Sequence, residues 1–248
     1  MSYRSRGSAG EPKSFFGGTL NWLTLFTFAM LVGLAVFALL SGSRQPPFVL
    51  DSSNLGGGIN AQIIGSTNPV TGVSLTFPAI SQRDKRQYSS EAEWKEWSPS
   101  ACAPAVMVSV LNGYGKQVKI SEVLGLMRDQ GAISTSQGLF KYGVFSSIAS
   151  KYGLRTDYSE SKDLNRHFDS VIAAVQKGSP VIMNIQDATY FPNGHFIVAV
   201  RVNLNETVSV INPDPERGKS VALEWPTATL KTYFSRSLRS AIFSSGQS

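Results

Sequence analysis

No charged residue interrupts the chain between Lys13 and Arg44, and the centre of that gap, Leu20 to Leu40, reads LNWLTLFTFAMLVGLAVFALL. A helix needs about 20 consecutive apolar residues to cross the hydrocarbon core of a bilayer. The polar exceptions Asn21, Thr24 and Thr27 fall in the first turns, and Trp22 is placed to anchor at the interface. Residues 20–41 therefore read as a transmembrane signal anchor. A cleaved signal peptide is the competing reading, but its apolar region spans only about 7–15 residues and LLSGS is a weak cleavage site. Arg4, Arg6 and Lys13 precede the span, whereas Arg44 alone follows it closely. The positive-inside rule then makes residues 1–19 a cytoplasmic tail and puts everything after the span outside, at the cell membrane.

Residues 42–90 look different again. SGSRQPP, SSNLGGGIN and GSTNPVTG are rich in turn formers and lack periodicity, which predicts an extracytoplasmic linker. AQIIG and VSLTFPAI are short apolar pieces able to dock as isolated strands. The basic excess lies mostly ahead of residue 91. Residues 1–90 carry seven Lys/Arg against three Asp/Glu, while residues 91–248 carry sixteen against fourteen. With no accompanying nucleic-acid motif, that distribution argues against a nucleic-acid binder.

The folded domain is expected over residues 91–248. Val106, Met107, Val110 and Leu111 keep helical spacing, and Asn112 and Gly113 offer a stop. ISEVLGLMRDQG predicts a second helix capped by Ser121 and ended at Gly131. SQGLFKYGVFSSIASKYGL holds a third, and SKDLNRHFDSVIAAVQKG a fourth. Strand patterns then take over at PVIMNIQ, HFIVAVRVN and TVSVINP, with SVALEW as a fourth strand and TATLKTYFSRSLRSAIF as a closing helix and strand. Helices first and strands later predict an α+β domain.

One cysteine, Cys102, excludes an internal disulfide and a multi-cysteine zinc site. Pro104 suits the first turn of a helix, and Ser98 or Ser100 suits its cap, so Cys102 is expected at a helix start, where orphan N–H groups favour a thiolate. A thiol nucleophile needs a base. His195 opens a strand after the loop FPNG, while His167 sits mid-helix among charged residues and reads as a surface or half-buried structural position. The base needs an orienting acceptor. If 195–203 and 207–212 form a hairpin, the end of the second strand brings Asn212 or Asp214 back beside His195.

SACAPAVMVSVLNGYG, GSPVIMNI, GHFIVAVRVN and VSVINPDP occur in an order that resembles the C39-like cysteine peptidases of the papain-like superfamily, over about residues 91–240. The resemblance implies a papain-like fold and a peptide or protein substrate. It implies no metal or organic cofactor. It makes Cys102 the nucleophile and His195 the general base, with Asn212 or Asp214 as the third member. It also puts Glu96 at the position six residues before the cysteine where papain-like peptidases carry an oxyanion-hole glutamine. Unless protonated, a carboxylate there would repel an oxyanion, so backbone N–H groups, Gln186 or a different loop register compensates, or the domain is a catalytically impaired peptide- or envelope-binding module.

Overall fold

In the computed structural model the chain is described over residues 62–67, 74–189, 191–214, 221–234 and 239–246. All fall within one unit, Pro46–Ser248. The expected cytoplasmic tail and membrane span, 1–41, lie outside the described residues. Among the described residues no helix is long and apolar enough to cross a membrane.

The segment 62–100 opens with β1 (Gln62–Thr67) and β2 (Ser74–Pro78), which pair antiparallel. A short helix, α1 (Glu91–Trp97), follows. Ser90 caps α1 by accepting from the Glu93 N–H, and the Glu93 carboxylate reaches back to the backbone N–H of Ser89. This satisfies two donors with one S-x-x-E pattern.

Then come α2 (Cys102–Gly113), α3 (Ile120–Asp129), the two-residue strands β3 (Ile133–Ser134) and β4 (Gly138–Leu139), α4 (Val144–Lys151), β5 (Leu154–Glu160) and α5 (Leu164–Gln176). The C-terminal part runs β6 (Val181–Asp187), β7 (Phe191–Val202), β8 (Thr207–Ile211), β9 (Ala222–Pro226), α6 (Thr227–Tyr233) and β10 (Arg239–Ser245).

Six of these strands form one antiparallel sheet in the order β5-β10-β6-β7-β8-β9. The α+β architecture expected from the sequence is the one observed. Because strand side chains alternate, β7 feeds two cores. Phe196, Val198 and Val200 join the cluster built by α2, α3 and α4. Ile197 and Ala199 join the cluster built by α5 and α6, with Phe168, Val171, Leu230 and Phe234.

Three expectations are corrected. The stretch read as a linker up to residue 90 contributes to the first core: Phe77 on β2 is fully buried there, and Tyr88 is buried too. A Cβ on Gly113, the last residue of α2, would come 2.1 Å from the Phe77 ring, so this glycine makes room for the hairpin. It ends no helix by a left-handed turn; Gly115, with φ of 79°, does that. Second, α3 starts at Ile120, so its N-cap is Lys119, whose side chain has no acceptor to offer, and Ser121 lies inside the helix with its Oγ donating to Glu93. Third, FPNG is strand rather than loop. Phe191 pairs with Asp187, and Gly194 takes a positive φ of 79° next to the Asn184 side chain, where a Cβ would come within 2.9 Å of Oδ1.

Candidate active site

Cys102 is the first residue of α2, as its flanking signals predict, and Pro104 lies in the first turn. Neither expected serine caps it. Ala101 is the N-cap and makes no side-chain bond, Ser98–Ser100 form a 3-10 turn, and Ser100 Oγ donates to the Thr135 carbonyl. An uncapped start leaves backbone donors free. The N–H groups of Phe196, Ala103 and Cys102 itself bear on the sulfur and favour the thiolate. Burial opposes them and prevails, with the Asp214 carboxylate adding to it, so the thiol is pushed above its ordinary value. A helix start alone predicts the opposite direction; desolvation of the sulfur reverses it.

Phe196 is the residue after His195 on β7, so the nucleophile-type side chain and the histidine strand meet here. His195 is 4% exposed, and its ring stacks on Phe191 with centroids 4.8 Å apart and planes 6° from parallel. Its Nε2 lies 2.8 Å from Asn212 Oδ1. Asn212 is fully buried directly after β8, and its own N–H donates to the Val221 carbonyl. The Asp214 backbone N–H also meets Asn212 Oδ1, at 3.0 Å. An amide N–H can only donate, so the Asn212 atom facing it is the carbonyl oxygen. Nε2 must then be the donor to that same oxygen, which leaves the lone pair on Nδ1.

The Asp214 carboxylate faces elsewhere. It accepts from Arg83 Nε and Nη2 at 3.4 Å each, and its side chain is 4% exposed. Asn212, one of the two acceptors left open by the sequence, contacts the ring with its side chain.

Glu96, expected at the oxyanion position, is exposed on α1. Gln186 bonds to the Pro192 carbonyl. The glutamine buried beside the nucleophile turn is Gln82, which sequence reasoning missed. Its Nε2 donates to the Ser98 carbonyl at 2.7 Å and lies 3.4 Å from that of Pro99. Its backbone N–H donates to the Pro213 carbonyl at 2.7 Å, and its carbonyl accepts from Tyr88 at 2.6 Å. Gln82 thus ties the turn before Cys102 to the turn after Asn212. The available signal was FPAISQ: a polar amide ending an apolar strand pattern, inside a stretch that reads as linker.

His167 is 0% exposed, not half-exposed as read from its charged neighbours. It packs edge-on to Phe234 at 4.9 Å in the second core. Among the described residues, no group of three or more His, Cys, Asp or Glu is arranged to hold a metal.

The Peptidase_C39 like family matches residues 74–240, from the start of β2 into β10. The comparison with curated proteins returned no match. Among solved structures, a double glycine motif protease from an AMS/PCAT transporter, in complex with the leader peptide, is similar at 16% identity and a TM-score of 0.38. That likeness covers 57% of this chain and 82% of the other.

Proposed function

The chain belongs to the Peptidase_C39-like family, and on that premise we propose that it is a membrane-anchored, extracytoplasmic cysteine peptidase that cleaves peptide bonds through Cys102, His195 and Asn212. The observation that carries this reading is the convergence of the Phe196 N–H on the Cys102 sulfur with the 2.8 Å contact of His195 Nε2 and Asn212.

With its thiol held above the ordinary value, Cys102 starts as S–H. His195 Nδ1 takes the thiol proton as sulfur attacks the substrate carbonyl carbon. Asn212 holds the ring by accepting from Nε2–H and stabilises the imidazolium that forms. The carbonyl oxygen, now an oxyanion, is received by the Cys102 backbone N–H and by Gln82 Nε2, which gives up its longer bond, 3.4 Å to the Pro99 carbonyl, and keeps the one to Ser98. His195 returns the proton to the leaving amine. Water, deprotonated by the same ring, then releases the acid from the thioester. In this reading Gln82 supplies the oxyanion donor that the sequence lacked at the position of Glu96, which favours an active peptidase over an impaired binding module.

The apolar run 20–41, with its flanking charges, supports the anchor and an outside location for the domain. The test is incubation of the purified full chain with a peptide library and mass-spectrometric readout. Wild type is expected to generate new termini that the Cys102→Ala variant does not. Equal products from both would overturn the reading. In intact cells, external protease is expected to digest residues 42–248 while sparing the tail before residue 20; full protection would reverse the topology.

A further inference from the structure

Two consecutive residues, Gln82 and Arg83, run alongside two others, Pro213 and Asp214. The first rung is the Gln82 N–H to the Pro213 carbonyl at 2.7 Å. The second is the forked contact of Arg83 Nε and Nη2 with the two Asp214 oxygens, each at 3.4 Å. Both ends are fixed further out. Trp94 Nε1 donates to the Arg83 carbonyl at 3.0 Å, and the Asp214 N–H holds the Asn212 oxygen that meets His195. The β7–β8 ladder ends before this turn, and one backbone bond and one side-chain pair supply the connection beyond it.

We propose that Arg83 and Asp214 are a positioning pair, a two-rung strap that seats Gln82 against the Asn212–Asp214 turn and keeps the Asp214 charge engaged by a cation beside the nucleophile. The positioning of Gln82 rests on the peptidase reading; the handling of charge next to Cys102 does not. The ionisable groups around the Cys102 sulfur are Asp214 after β8, Tyr88 before α1 and Tyr142 before α4, with His195 next to Phe196 on β7. Arg83 is the cation that pairs Asp214 in this set. Removing it takes a positive charge away from a buried carboxylate that faces a group which must become an anion.

The test is the pH profile of iodoacetamide alkylation of Cys102 in the purified full chain, which needs no substrate. Arg83→Gln is expected to move the rising limb to higher pH by on the order of one unit, Arg83→Lys to leave it in place, and Arg83→Gln with Asp214→Asn to bring it most of the way back. An unmoved limb in Arg83→Gln, or a double variant displaced as far as the single, would overturn the proposal. Should Arg83→Gln fail to unfold cooperatively, Asp214→Asn carries the test, with its limb expected at lower pH; a limb at the wild-type position would overturn it.

Library turnover, measured for each variant at its own pH optimum, isolates Gln82. Both single variants are expected to lose roughly tenfold in kcat with KM little changed, and unchanged turnover would overturn the positioning role. Equal hydrolysis by wild type and Cys102→Ala would remove the peptidase reading, and the alkylation limb would still decide the strap.

Discussion

Two strips of chain close this site, and they are built differently. The strip carrying His195 and Asn212 belongs to β7 and the end of β8, adjacent strands of the six-stranded sheet held by backbone ladders. The strip carrying Gln82 and Arg83 lies between β2 and α1 and is held by single bonds: to Pro213, Ser98, Tyr88, Trp94 and Asp214. A ladder positions a side chain through many redundant backbone bonds. A strap positions it through a few side-chain bonds, each of which can be removed by one substitution. The base is therefore expected to tolerate changes in its surroundings better than Gln82 does.

The largest effect expected is on the ladder side. His195→Ala should lower kcat for library hydrolysis by about 10⁴-fold while leaving cooperative unfolding in place, since the proton transfer is lost and the strands are not. Next is the root of the other strip. Phe77→Ala removes a fully buried ring from the first core and should cost about 3–5 kcal/mol by denaturant unfolding. If residues 74–90 were a mere linker, that variant would unfold like the wild type.

Gln82→Ala should lower kcat by about 10²–10³-fold, the usual loss for one oxyanion donor, with a small change in stability. Glu96→Gln should stay within about twofold of wild type, because an exposed residue away from the site changes little. The reverse pair of outcomes would return the oxyanion role to the position six residues before Cys102.

The same contrast explains what was legible in the sequence. β6, β7 and β8 announce themselves as apolar runs because the central strands are buried on both faces. Asn212 follows the end of β8 and His195 lies within β7, and the hairpin between the two strands accounts for their meeting. The choice between Asn212 and Asp214 was not legible. It depends on Arg83, which stands 131 residues before Asp214 in the chain.

β5 was missed because it is an edge strand with Leu154 as its one buried residue, so its sequence reads as polar. Gln82 was missed for a related reason. Its burial comes from tertiary partners on three separate segments, none of which leaves a local pattern. The direction of the Cys102 shift was misjudged because a helix start is visible in sequence while the desolvation of one sulfur is not.

The central claim is that the two strips meet at one thiol with one base. The most direct measurement is the rate of iodoacetamide alkylation of Cys102 in the full chain at pH 7, wild type against His195→Ala. At least a tenfold slower reaction in His195→Ala is the result predicted for a thiol whose proton is taken by that ring. Equal rates would contradict the account and leave Cys102 as an ordinary half-buried cysteine.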